Sequence, residues 1–250
     1  MADLLLRLFG YRGAVLHTPP SSYPRYRWIK KHLEDGPVRT LDAGCGSGTF
    51  TMLAASKGND ALGVTDSEVD CAKARGRAAL LNSSAQFATL DLREIDKHSL
   101  ESFDQIILIE CIEHIINDRK LVTDLAALLK PGGRLILTTP YLYHRPYFEE
   151  WRMQTPGVEC SAGHVRFGYT HEQIKELFDE AGLETICESY MVGFISIQIT
   201  NLYLIGCKLH PYVAWAATFP LRVLQMVDRP LTKLLRYPYL SIGVIGRKRL

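Results

Sequence analysis

An acidic residue, three glycines and a change of periodicity stand together in Leu41-Asp42-Ala43-Gly44-Cys45-Gly46-Ser47-Gly48. Val38 to Asp42 reads as a short strand, and Thr49 to Lys57 reads as a helix stopped by Gly58. A strand that enters a helix through this many glycines has a backbone that turns sharply and approaches a ligand without Cβ clashes. That arrangement restricts the chain to an open α/β sheet with the loop at the carboxyl end of a strand. The spacing departs from the dinucleotide fingerprint G-x-G-x-x-G, because position 49 is Thr and the third glycine falls at 48. A dinucleotide sets its pyrophosphate on the helix N-terminus, whereas a ligand ending in an amino acid needs an acid for its ammonium. Asp42 is placed for the second.

The rest of the chain keeps the alternation. Strands are expected at Ala61 to Thr65, Ala85 to Leu90, Phe103 to Glu110, Arg134 to Thr139, Leu183 to Tyr190 and Tyr239 to Gly246. Helices are expected from Ser67, with Asp70 three residues on, from Asn117 to Lys130, and from Thr170, paired with Gln173, to Ala181. Phe103 to Glu110 is almost continuously apolar, as a strand buried on both faces requires. Strand–helix units of this kind imply a parallel sheet with right-handed crossovers. Two stretches break the pattern. Tyr141 to Tyr169 is a long polar-aromatic connection, and Gly193 to Pro238 separates the last two strands. Both adjoin carboxyl ends of strands, where an open sheet binds its ligands. The organisation expected is an N-terminal cap helix region over 1–37, a core over 38–190, and a basic helical cap with the closing strand over 191–250.

With 250 residues, the chain is long enough for one sizeable core. The six cysteines, at 45, 71, 111, 160, 187 and 207, form no C-x-x-C pair and suit neither a zinc cluster nor a disulfide framework. They read as reduced thiols of a cytoplasmic protein. No N-terminal secretory pattern is seen, and Met191 to Cys207 carries too many polar residues to read as a membrane span. The net charge of +2 hides an asymmetry. Met191 to Leu250 holds eight Lys or Arg and one acid, Asp228, a balance of +7, while the first 190 residues hold 21 basic and 26 acidic side chains, a balance of −5. A basic, aromatic-rich tail on an acidic body points to an anionic membrane surface contacted through 191–250, and argues against nucleic acid.

LDAGCGSG resembles the first motif of the class I S-adenosylmethionine-dependent methyltransferases, and four further segments agree with that family in order and spacing. ALGVTDSE resembles its ribose-binding strand end, and FATLDLREI its adenine-contacting segment. FDQIILIECIEHI resembles its fourth strand, and LLKPGGRLILTTP its fifth. The resemblance implies a Rossmann-like α/β fold. Its sheet has seven strands, mostly parallel, with helices on both faces and an antiparallel last strand. It implies that S-adenosyl-L-methionine is held by Asp42, Gly44, Cys45, Gly46 and Gly48, by Thr65 or Asp66 at the ribose, by Asp91 and Leu92 at the adenine, and by Glu110. The family usually has an acid where Thr65 stands, so the ribose contact falls to either Thr65 or Asp66.

The fourth strand ends in Glu110-Cys111-Ile112-Glu113-His114. The Asn/Asp-Pro-Pro-Tyr/Phe motif of many N-methyltransferases is absent, which favours an oxygen or carbon acceptor. The E-x-x-E-H spacing resembles ubiquinone-biosynthesis O-methyltransferases and small-RNA 2′-O-methyltransferases. In those families such residues bind a divalent metal together with a later histidine. The resemblance offers Glu110, Glu113, His114 and His164 as ligands of Mg²⁺, Mn²⁺ or Zn²⁺, or else His114 or His164 as a metal-free general base. Arg166 and Tyr169 are candidates for an acidic group of the acceptor. The whole pattern looks most like bacterial methyltransferases of surface-glycan or secondary-metabolite clusters. It implies O-methylation of a small-molecule, glycan or lipid-linked hydroxyl. RNA 2′-O-methylation and cofactor binding without catalysis are the alternatives.

Overall fold

The computed structural model describes residues 6, 7, 9–11, 13, 15, 18–144 and 165–250. Seven strands form one sheet: β1 (Arg39–Ala43), β2 (Asp60–Thr65), β3 (Gln86–Thr89), β4 (Phe103–Ile109), β5 (Leu129–Pro140), β6 (Leu183–Met191) and β7 (Ser241–Lys248). Their spatial order is β3-β2-β1-β4-β5-β7-β6. All pairings are parallel except those of β7, which runs antiparallel to both β5 and β6. The expected architecture, with its antiparallel last strand, is therefore present. The carboxyl ends of β1 to β6 lie along one edge, and β7 starts from that same edge.

The apolar run of β4 explains the layering. Ile106 and Leu108 face one side, against α4 (Asp118–Leu128) and α5 (His171–Glu180), through Leu125 and Phe178 among others. Ile107, between them, faces the other side, against α1 (Ser22–His32) and α2 (Thr49–Ser56), through Ile29 and Leu53. Alternation along the strand thus fills two cores at once. On the α1 side, α3 (Glu68–Leu80) packs beside α2 through Cys71, Ala74 and Met52.

The helix starts are built as the sequence suggests. Ser67 and Asn117 accept from the backbone N–H groups of Asp70 and Lys120. Thr170 and Gln173 form a reciprocal capping box. The last strand begins at Ser241 rather than Tyr239, because Tyr239 lies outside the ladder with its ring stacked on Tyr190 at 5.3 Å.

Between β6 and β7 the chain makes a helical cap. It consists of α6 (Phe194–Cys207), α7 (Pro211–Thr218), a 3₁₀ helix (Pro220–Val227) and α8 (Asp228–Leu234). The cap holds the segment before α1, where Ser21 N–H donates to Thr200 Oγ1 at 2.9 Å and Arg222 reaches Thr18 O at 2.8 Å. Among the described residues, no helix is long and apolar enough to cross a membrane.

Candidate functional site

The glycine loop leaves β1 and is pinned to β2. Gly44 and Cys45 N–H groups both donate to Val64 O, at 2.9 and 2.8 Å. Gly44, Gly46 and Gly48 all have positive φ, of 81°, 48° and 80°, which favours glycine. A Cβ on Gly44 would lie 2.6 Å from Cys111 Sγ and 3.7 Å from Leu92 Cδ1. The loop is therefore pressed against the segments following β3 and β4, bringing Gly44, Leu92 and Cys111 together. A Cβ on Gly46 would meet nothing within 4 Å, so that face of the loop is open. From α3, Arg77 braces the loop through Ser47 O and Oγ.

Asp42 is buried beneath this loop. Its carboxylate accepts from the Thr51 hydroxyl at 2.7 Å. Burial pushes its pKa up to about 7, against the lowering effect of the Thr51 side-chain and backbone bonds. Burial, with Asp42 nearby, also pushes up the Cys45 thiol, which is therefore not poised as a thiolate.

At the end of β2, Thr65 is buried and its hydroxyl accepts from Ser67 N–H at 3.3 Å, while Asp66 is exposed. Asp91 starts the 3₁₀ helix Leu92–Lys97 by accepting from Arg93 N–H at 2.9 Å. Arg93 also grips both Asp91 oxygens with its guanidinium, and hydrogen bonding from Arg93 leads the lowering of the Asp91 pKa. Leu92 is buried against Gly44.

The exit of β4 is the most polar part of the edge. Glu110 has positive φ, at 47°, and accepts from Thr138 Oγ1 at 3.0 Å. Its other oxygen is ion-paired with Arg25 of α1. Glu113 is fully buried in the short turn Ile112–His114. Its Oε2 accepts from Thr139 Oγ1 at 3.2 Å, and its Oε1 has no hydrogen-bond partner. Burial first, and the Glu110 charge second, push Glu113 up to about 8. His114 follows at a half-buried position. His144, beyond β5, is turned onto Tyr141 O; burial lowers its pKa, and Glu110 acts in the opposite direction.

Glu110, Glu113 and His114 thus lie on one strand exit, but Glu110 is engaged by Arg25 and Glu113 points into the protein. Among the described residues, no three His, Cys, Asp or Glu side chains form a metal-ion cluster. His164 lies outside the described residues; its neighbour Val165 donates its N–H to Glu113 O at 2.9 Å. Arg166 is tied inward, paired with Asp118, donating to Tyr169 Oη at 2.8 Å and to Ile116 O at 2.8 Å. Tyr169 donates to Asp118 at 2.8 Å. A cleft of about 310 Å³ opens beside them, with Arg119, Gln173 and Glu176 in its lining.

Sequence reasoning passed over Thr51, Arg77, Thr138 and Thr139, which hold the acids and the loop. The two adjacent threonines that follow the apolar run Leu135-Ile136-Leu137 of β5 were a visible signal. Arg77 sits in an ordinary helix and gave none.

The residues present suit a ligand with a charged amino-acid end. The open face at Gly46 leaves room for it. Asp42, held near neutrality by burial, gains most from a cation placed beside it. The order of the strands, the antiparallel β7 and this edge define the class: a Rossmann-like, class I methyltransferase fold. A family model described as a methyltransferase domain matches residues 1–188 of the 250, and the chain belongs to that family.

Two kinds of relative accompany it. The ubiquinone biosynthesis O-methyltransferase of Dechloromonas aromatica is 28% identical over 115 residues, covering 46% of this chain and 50% of that protein. The chain spans about half the length of the curated relatives it matches. Phosphoethanolamine N-methyltransferase 2 of Haemonchus contortus, solved with S-adenosyl-L-methionine, superposes with a TM-score of 0.66 at 21% identity, covering 90% of this chain and 52% of that one. The [4+2]-cyclase SpnF superposes with a TM-score of 0.63 at 20% identity, covering 91% and 82%. At these identities the two superpositions establish the fold.

Proposed function

We propose that this protein transfers a methyl group from S-adenosylmethionine to a hydroxyl of a small-molecule, glycan or lipid-linked acceptor. The observation that carries this reading is the pairing of an open glycine cradle over the buried Asp42 with a polar β4 exit on the same sheet edge. When bound, S-adenosylmethionine supplies an electrophilic methyl group on a sulfonium. Asp42 is assigned to the ligand ammonium and the Gly44–Gly48 loop, with Cys45, to its carboxyl end. Thr65 or Asp66 is assigned to the ribose hydroxyls. Asp91 is assigned to the adenine amine, beside the Leu92 backbone. Arg93 must then share or release Asp91. That costs little, since both side chains are solvent-accessible.

Methyl transfer is an in-line displacement, so the chain's main task is alignment of the acceptor. His114 is assigned as the group that takes the acceptor proton, with His164 as the second candidate. Glu110, held by Arg25 and Thr138, is assigned to the wall beside the reacting atoms. The reading favours oxygen because the β4 exit is Glu-Cys-Ile-Glu-His rather than an Asn/Asp-Pro-Pro motif. The ubiquinone-related namesakes are O-methyltransferases. A second reading, binding without methyl transfer, is kept in view by SpnF, named as a cyclase on the same fold.

Labelled-methyl transfer into fractionated lipid, glycan and small-molecule extracts tests the proposal. Label in a nuclease-resistant fraction is expected. Label lost on nuclease treatment moves the acceptor to RNA, and binding of the cofactor with no label in any fraction supports the second reading. Running the same assay with chelator, then with Mg²⁺, Mn²⁺ or Zn²⁺ restored, decides whether a metal assists.

A further inference from the structure

The 3₁₀ helix and α8 are turned inside out. Their polar residues recur at 222, 225, 228 and 232, one stripe at helical spacing, and all four are buried. Arg222 donates to Thr18 O, and Gln225 Nε2 donates to Pro20 O at 2.9 Å and to Ser196 Oγ at 3.0 Å. Asp228 accepts from Gly193 N–H, Ile195 N–H and Ser196 Oγ at 3.0, 2.8 and 2.6 Å. Thr232 Oγ1 accepts from Phe194 N–H at 2.8 Å. The opposite face is apolar and open. Val223 is 64% exposed, Met226 75% and Leu234 79%, with Leu224 and Val227 about half exposed beside them. The adjoining α6 and α7 and the turn between them add Ile205, Val213 and Leu209 to the exposed apolar surface.

A helix facing water is ordinarily arranged the other way. The inversion here is fixed by a polar network, so the apolar face is what the fold presents. The exposed charges that the cap itself carries have one sign. Lys208, Arg229, Lys233 and Arg236 are exposed, and the sole acid from 191 to 250, Asp228, is buried in the network. A second copy on this face would set cations against cations. An anionic bilayer supplies both an apolar layer for the side chains and negative headgroups for the cations.

We propose that the outward face of the 3₁₀ helix and α8, rimmed by these cations, docks on the surface of an anionic membrane. The cap leaves β6 and rejoins β7 at the carboxyl edge of the sheet, so docking holds that edge close to the lipid. This inference does not need methyl transfer, because vesicle binding can be read without turnover.

The test is flotation of the whole chain with neutral phosphatidylcholine vesicles and with vesicles containing phosphatidylglycerol, at low and high salt. Binding is expected to the anionic vesicles, weakened but not abolished by salt, since exposed charges are screened and apolar insertion is not. Lys233→Gln should weaken binding about fivefold, the effect of one surface cation. Val223→Ser with Met226→Ser should remove the salt-resistant part while leaving the melting temperature unchanged or higher, because both side chains face out. Failure to float with anionic vesicles at low salt overturns the proposal. So does flotation undiminished in both variants. A dimer seen by light scattering that dissolves in the Val223→Ser, Met226→Ser protein would assign the face to a second copy, and would also overturn it.

Discussion

The sheet edge and the cap each bury carboxylates, and they treat them in opposite ways. In the cap, Asp228 takes three hydrogen bonds at the start of α6, from Gly193, Ile195 and Ser196. It supplies from another helix what an N-cap supplies locally, at the positive end of the helix dipole. At the edge, Asp42 has Thr51, and Glu113 has Thr139 and an oxygen with no partner. These two acids carry pKa values raised to about 7 and about 8. A buried carboxylate surrounded by donors holds a fold together, whereas one left short of them is suited to meeting a partner from outside. On that difference we assign Asp228 to the scaffold and Asp42 and Glu113 to the candidate site.

The largest effect expected is at Asp228. Replacing it with Ala leaves buried donors of α6 unpaired and should cost on the order of 3–5 kcal/mol in urea denaturation. A loss no greater than that of an ordinary surface substitution would break the comparison. Asp42→Asn should do the reverse. Cofactor affinity measured by calorimetry should fall by about 2–3 kcal/mol, the loss of a charged hydrogen bond. Apo-protein stability above neutral pH should rise. The sign follows from linkage: a carboxyl raised to about 7 in the folded state binds a proton that the unfolded chain has released, so its contribution falls as pH climbs from about 4 through about 7. Asn removes that fall, and melting curves across this range read it directly.

The same titration sharpens the comparison in the intact protein. If the ligand ammonium needs Asp42 ionised, affinity should rise about tenfold between about pH 6 and pH 8, the change in ionised fraction around a pKa near 7. The Asp42→Asn protein should show no such rise. The smallest effect is expected for Arg25→Met, which removes a partly buried ion pair to Glu110 and should cost about 1 kcal/mol or less of stability. Turnover should fall further than stability does, if Glu110 lines the reacting centre.

Much of the sheet edge was legible because its signals are local. The glycine spacing, the caps at Ser67, Asn117 and Thr170, and the apolar run of β4 each declare themselves within a few residues. Asp42 is singled out by its place two residues before Gly44. What could not be read were partners far apart in the chain. Arg25 of α1 meets Glu110 at the β4 exit, and Arg166 engages its guanidinium with Asp118, 48 residues away. The cap shows the same limit. Its mixture of cations and apolar residues is plain in the sequence, but which stripe faces inward depends on Ser196 and on the carbonyls of Thr18 and Pro20.

The antiparallel β7 has a consequence for how such a protein is rebuilt. Met191, the last residue of β6, and Ser241, the first of β7, are register partners in neighbouring strands. The roughly fifty residues between them leave and return through adjacent positions of one ladder, the geometry of a hairpin whose turn has been expanded. The cap is therefore a cassette on a fixed socket. A short turn or a different cap could be grafted between 191 and 241 without changing strand order or register, provided that the segment before α1 is given new partners for Ser21 and Thr18.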